Sequence, residues 1–178
     1  MSGPAPVPLI PLPSWLGDTP ASAPVFRQMS SGVGRNDVPL TDEQKAEVTA
    51  YAELLGVPED VMRFNDNMNT SYANVFGQPV MYVGMDAYPH EGGTRANSLV
   101  SMKGALAHEW VGHQAAEAAG KTHADPLLEE VQASMRAAMH GPDLSDAERE
   151  VLMQDAQQRL DKVGLTIDEV RGQLWLEP

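Results

Sequence analysis

The feature that most constrains this chain is a pair of histidines, His108 and His113, five residues apart in a stretch whose composition is typical of a helix. Positions i and i+5 of a regular α-helix point roughly 140° apart, so two imidazoles on such a helix cannot meet. They can meet if the helix takes up one extra residue as a π-bulge, a distortion that concentrates at functional sites. Gly112 lies where the extra residue would go, and glycine tolerates local distortion at low steric cost. The spacing therefore predicts a bulge at Gly112.

The same stretch predicts a metal centre. The chain contains no cysteine, so a metal would have to be held by histidine and carboxylate side chains. This ligand set is more typical of catalytic than of structural zinc. His108 and His113 are the first two candidate ligands of a Zn²⁺ ion. Glu109, between them, is the candidate general base.

The third ligand has three candidates in the sequence. Glu129 and Glu130 open the next predicted helix, and neighbouring residues of a helix differ by about 100°, so only one of them can face the ion. We favour Glu130 as the ligand and expect Glu129 to be a solvated surface charge. His123, in the loop before that helix, is a rival. Ser134, four residues after Glu130, is expected to orient a ligand histidine.

These residues carry a resemblance to known zinc peptidases. The hexapeptide HEWVGH at positions 108–113 resembles the HExxGH zinc motif of the dipeptidyl-peptidase III family, in which an inserted residue separates the two ligands. The pentapeptide EEVQA at positions 129–133 is similar to the start of that family's second motif, EExRAE, and by position Glu130 would be the zinc ligand. The distance from His113 to Glu130, and the segment at positions 73–84, are similar to thermolysin-like gluzincins. The resemblance implies a zincin-like metal site.

The chain length and the helix signals predict one domain after a leader. Residues 1–37 form a Pro-rich, partly extended leader or linker, and residues 38–178 form a single zincin-like catalytic domain. Capping residues and apolar spacing predict helices that begin near positions 41, 98, 126, 145 and 166, and a short helix from Pro58 to Phe64. Strands at Tyr72–Phe76 and Val80–Met85 form a hairpin. We therefore expect an α+β, mainly helical fold, with a small antiparallel sheet packed beside the metal-binding helix.

The predicted hairpin also supplies candidate substrate contacts. Asn74–Phe76, taken as an edge strand, would bind an extended substrate by adding it to the sheet. Tyr82, His123 and His140 are candidates for stabilising negative charge on the substrate, and His90 and Arg136 are alternatives for the same role. Asn74, Tyr82, His123 and His140 are the candidate substrate-binding residues.

Composition narrows the classes of partner. A net charge of −13 disfavours binding to a nucleic-acid backbone, which requires clustered Lys and Arg. There is no apolar run of about 18 residues, so no membrane helix is expected. The first residues lack the pattern of a signal peptide. The cellular compartment is therefore not predicted, and export by a specialised secretion system is one expectation. The expected partners are a peptide or protein substrate, and a larger delivery protein or an inhibitor.

The predicted function is hydrolysis of peptide bonds by a zinc metallopeptidase, with Glu109 as the general base. A secreted bacterial effector or toxin domain is one setting that suits the small size and the Pro-rich leader. The alternative is a non-enzymatic, acidic helical interaction module in which His108 and His113 are structural.

Overall fold

The structure is a computed structural model and describes residues 25–28 and 34–178. It has an α+β, mainly helical fold, as the sequence predicts. Most of the predicted leader, residues 1–37, lies outside the described residues. The strands are β1 Val25–Gln28, β2 Met62–Phe64, β3 Ser71–Val75 and β4 Gln78–Val83. The helices are α1 Asp42–Leu54, α2 Ala96–Leu99, α3 Met102–Ala107, a π-helix His108–Gln114, α4 Ala115–Ala118, α5 Pro126–His140, α6 Asp146–Asp161 and α7 Ile167–Val170, with 3₁₀ turns at Met85–Ala87 and Arg171–Gln173.

The predicted hairpin forms from β3 and β4. Its register pairs Ser71 with Tyr82 and Val75 with Gln78. The two residues between the strands, Phe76 and Gly77, have positive φ angles of 52° and 84°. Positive φ at both central residues is what a type I′ hairpin turn requires, and the backbone of this turn matches the twist of the flanking strands.

Two details of the predicted sheet are wrong. The segment from Pro58 to Phe64 is not helical, because Met62–Phe64 pairs in parallel with β4 and makes the sheet mixed. The strand order is β1-β3-β4-β2, so β3 has a neighbour on both sides. β1 pairs antiparallel with β3, and the segment that we took for an edge strand is therefore an inner strand among the described residues.

Local signals set most helix boundaries as predicted. Thr41 caps α1 and Ser145 caps α6, each in a capping box with the residue three positions later. Asp125 caps α5, and Pro126 occupies its first turn, where a missing N–H costs nothing. Two apolar clusters result. The larger lies among α1, the sheet and α3, and the smaller lies among α5, α6 and α7.

Arg35 joins segments that are distant in sequence. It is buried, and its guanidinium donates to the backbone carbonyls of Asp86, Ala87, Asn97 and Val100 at 2.6–3.0 Å. Burial lowers the pKa of Arg35 to about 10, although Asp86 opposes the shift. The side chain therefore stabilises the connection between the sheet and α3, the element that leads into the helical segment bearing His108 and His113.

Candidate metal centre

The predicted bulge is confirmed. One continuous helix runs from α3 through α4, and its middle, His108–Gln114, is π-helical. Hydrogen bonds of a π-helix join residues i and i+5, so side chains at that spacing lie on one face. The His108 and His113 rings are accordingly close, with centroids 4.8 Å apart and planes at 81°.

Glu130, at the start of α5, meets both histidines. Its two carboxylate oxygens lie 3.3 Å from Nε2 of His108 and 3.3 Å from Nε2 of His113. Ligand atoms of these three residues lie within 4.8 Å of one another, so the group could hold a metal ion. Both imidazoles are fully buried, and neither Nε2 atom has a hydrogen-bond partner of good geometry. Buried polar atoms that make no hydrogen bond are rare in proteins, and these two face the carboxylate of the group that could hold a metal ion.

The other ring nitrogens are held by residues of α5. Nδ1 of His108 lies 3.1 Å from Oγ of Ser134, the contact that the spacing predicted. Nδ1 of His113 lies 3.3 Å from Glu129. The prediction that Glu129 is a solvated charge is wrong, because its side chain is buried and also accepts the His123 N–H at 2.6 Å. Contacts of this kind fix which nitrogen faces a metal.

Sequence reasoning missed two residues of α6. Asp155 accepts hydrogen bonds from Ser134 at 2.7 Å and from Arg159 at 2.8 Å. Arg159 in turn lies 3.3 Å from Glu130. Contacts therefore join His108 to Ser134, Ser134 to Asp155, Asp155 to Arg159, and Arg159 to Glu130. Their position in the sequence could have identified them, because helical spacing places Asp155 and Arg159 next to the buried face of α6, which is formed by Leu152, Ala156 and Leu160.

The electrostatics of the three candidate ligands are strongly coupled. Burial lowers the pKa of His108, and Glu130 opposes this only in part. Burial also lowers the pKa of His113, but Glu129, Glu130 and the nearby Glu109 raise it, which leaves it at about 9. For Glu130, burial raises the pKa, yet the two histidines outweigh it and hold the pKa well below its usual range.

Glu109 lies between the site and the sheet. It is fully buried, and its carboxylate accepts the backbone N–H of Tyr72 at 2.8 Å. Tyr72 belongs to β3, and its ring packs edge-on against Trp110 with centroids 6.4 Å apart. The hairpin thus positions the candidate general base, as expected for a sheet packed beside the helix that bears His108 and His113.

Gly112 serves a different purpose from the one its sequence position suggested. Its φ is not positive, so its backbone does not demand glycine. Instead, a Cβ atom added there would lie 2.7 Å from Cα and Cβ and 2.8 Å from the carbonyl oxygen of Ala133. Glycine therefore allows the π-helix and α5 to approach closely at the point between Glu130 and Ser134. Arg136 strengthens this junction by donating to the Val111 carbonyl at 3.0 Å.

The four candidate substrate-binding residues lie in different surroundings. Asn74 in β3 accepts the Gly77 N–H, and Tyr82 is half-buried in β4. His123 contacts Gln132 and is not in the group that could hold a metal. His140, at the end of α5, contacts the carbonyl of Leu176. Their roles toward a substrate stay predictions.

Comparison with models of protein families, with curated proteins and with solved structures finds no match for this chain. The resemblance to zinc peptidases thus stays a prediction from the motif. Within residues 25–28 and 34–178, no helix combines the length and the apolar character needed to cross a membrane.

Proposed function

We propose that this chain is a zinc-dependent peptidase. The observation that carries the proposal is the convergence of two buried imidazole nitrogens on one carboxylate, His108 and His113 on Glu130, with no hydrogen bond of good geometry between them. A buried polar atom that makes no hydrogen bond costs about 1–3 kcal/mol, and a cation shared by both nitrogens and the carboxylate would remove that cost. Two histidines and one glutamate are a ligand set of catalytic zinc, with a further position left for water.

Each residue then has a role that its surroundings support. Zinc bound there would polarise a carbonyl group and lower the pKa of water toward neutrality. The Glu109 carboxylate, oriented by the Tyr72 N–H, accepts a proton from the attacking water and delivers it to the leaving amine. Ser134 and Glu129 hold the two imidazoles in orientation through their Nδ1 atoms.

An amide of an extended peptide suits this site as the substrate. The backbone of β3 contacts the metal-binding helix and donates directly to Glu109. The side of β3 that faces away from β4 is paired with β1 in this structure, and an extended peptide that replaced β1 there would form main-chain hydrogen bonds beside the candidate general base, which is a general means of peptide recognition.

Metal content and hydrolysis together test the proposal. We expect one equivalent of zinc in the purified protein. The His113→Ala protein should contain none, whereas the matched control His123→Ala should retain the full equivalent. Glu109→Gln should retain zinc and lower kcat for a quenched fluorescent peptide by about 10²–10⁴-fold, the usual contribution of a general base. Glu59→Gln, an exposed change, should leave kcat unaltered.

The alternative, an acidic interaction module with structural histidines, predicts the opposite result. Protein that takes up no zinc, and whose melting temperature is indifferent to a chelator, would refute the peptidase and favour that module. Zinc at one equivalent with no cleavage of any peptide would retain the metal site and reject the activity.

A further inference from the structure

The side of β3 that faces Glu109 can be identified from the backbone. Tyr72 pairs with Met81 of β4, and the Met81 N–H donates to Val61, on the opposite side of β4 from β3. The N–H and C=O of one residue leave a strand on the same side, so this pair exchanges no hydrogen bonds. The Tyr72 N–H must therefore point away from β4, and it donates to Glu109. Glu109 thus lies at the edge of β3 opposite β4.

That edge is the one to which β1 is paired. The register sets Val25 opposite Asn74 and Arg27 opposite Tyr72, whose N–H reaches the candidate general base. β1 also contacts the π-helix that bears His108 and His113. Four residues of the chain's own N-terminal segment therefore run extended, antiparallel to β3, beside Glu109.

We infer that β1 occupies the peptide-binding surface of this site and blocks it as a tethered competitor. The inference rests on the proposed function, because the substrate of the proposed peptidase would bind the same surface, extended and antiparallel to β3. The occupant is a polypeptide main chain, so the surface recognises main-chain groups over about four residues. Release of β1 would expose them to a substrate.

The expected effect is on KM rather than on kcat. A segment tethered to its own site acts at an effective concentration of roughly millimolar, far above micromolar substrate. The apparent affinity for a peptide equals the intrinsic affinity multiplied by the fraction of molecules in which the surface is free of β1. Weakening β1 pairing should therefore lower KM at least tenfold and leave kcat nearly unchanged.

The strand alternation supplies a matched pair of variants. Arg27 lies opposite Tyr72, so its amide points toward β3, and Arg27→Pro removes that donor from the ladder. Phe26 is one residue away, so its amide points to the other side, and Phe26→Pro leaves the ladder donors in place. Arg27→Ala keeps the amide and controls for loss of the side chain. All three are made in the full-length protein.

Two measurements on these variants test the inference. We expect Arg27→Pro to lower KM for a quenched peptide at least tenfold, and to speed amide hydrogen exchange at Asn74, the β3 residue whose N–H faces Val25 of β1. Phe26→Pro and Arg27→Ala should match the original protein in both. If Arg27→Pro and Phe26→Pro give the same exchange and the same KM, β1 does not occupy the surface and the inference is overturned.

A binding measurement separates this inference from failure of the proposed activity. A fluorescent peptide with the sequence of residues 22–31, SAPVFRQMSS, should bind Arg27→Pro protein and bind Phe26→Pro protein at least tenfold more weakly, as measured by anisotropy. If no variant cleaves any peptide yet this difference is found, the surface assignment stands and the peptidase assignment fails. If the peptide binds neither variant, the surface assignment is overturned, whatever the activity.

Discussion

Substitution of Gly112 by alanine tests the packing that brings the candidate ligands together. The new Cβ would lie 2.7 Å from Cα and Cβ of Ala133, whereas carbon atoms in contact are normally about 3.5–4.0 Å apart. The contact is to the backbone of α5, so rotation of a side chain cannot relieve it. The π-helix and α5 would have to separate by roughly 1 Å.

This separation is large for a metal site. Ligand distances are held within about 0.2 Å in functional sites, and Glu130 lies on α5 one turn from Ala133. We expect zinc affinity to fall by at least about 100-fold, the upper end of the loss seen when groups that support a ligand are removed. Overpacking should also lower the free energy of unfolding of the metal-free protein by about 1–3 kcal/mol.

Two assays measure these effects independently. Competition with a chromophoric chelator gives zinc affinity, and urea unfolding with excess chelator gives the stability of the metal-free protein. Gly172→Ala is the matched control, because a Cβ at that position meets no atom within 4 Å. Alanine exceeds glycine in helix propensity by about 1 kcal/mol, so an uncrowded site would gain stability from the change. A Gly112→Ala protein that is more stable and binds zinc normally would refute the argument.

Three further changes test other parts of the structure. Asp155→Asn weakens the acceptor that holds Ser134, and should lower zinc affinity by about 10–100-fold in the same chelator competition. Arg35→Met leaves four backbone carbonyls without their donor, and should lower the free energy of unfolding in urea by at least about 3 kcal/mol, whereas the exposed Arg95→Met should change it by less than about 0.5 kcal/mol. Burial raises the pKa of the Tyr51 phenol, and the nearby Glu148 raises it further. The neutral phenol therefore contributes its full stability below a pH of about 10, the ordinary pKa of tyrosine. Above that pH the phenol ionises in the unfolded chain and not in the folded protein, so the contribution declines. Tyr51→Phe should be less stable than the original protein at pH 8, because it lacks the hydrogen bond to Pro142, and urea unfolding should show this gap narrowing above pH 10 and not remaining constant.

The parts of the fold that the sequence predicted depend on local chemistry. The capping boxes of α1 and α6 and the proline at the start of α5 involve residues within one turn of each other. The π-helix was predictable because the spacing of His108 and His113 is incompatible with a regular α-helix if both face one point. In each case a few neighbouring residues contain the whole physical argument.

The parts that were missed depend on contacts between distant segments. β2 has only three residues and is stabilised by parallel pairing with β4, so the local preference of Pro58 for a helix start was misleading. β1 likewise depends on pairing with β3, which follows it by more than 40 residues. The burial of Glu129 depends on His113, on a different helix, and a charged residue in the first turn of a helix is normally solvated.

The charge balance of the site connects its proposed chemistry with its stability. Four carboxylates surround the two histidines within the described structure, namely those of Glu109, Glu129, Glu130 and Asp155. Arg159 contacts two of them and neutralises one charge, which leaves three negative charges in a largely buried region. A divalent cation would offset two of these charges and would also bind the two Nε2 atoms, which have no hydrogen-bond partner of good geometry. Buried charge that is not compensated costs several kcal/mol per ion, so we expect the stability of the folded domain to depend on the cation that these residues could hold.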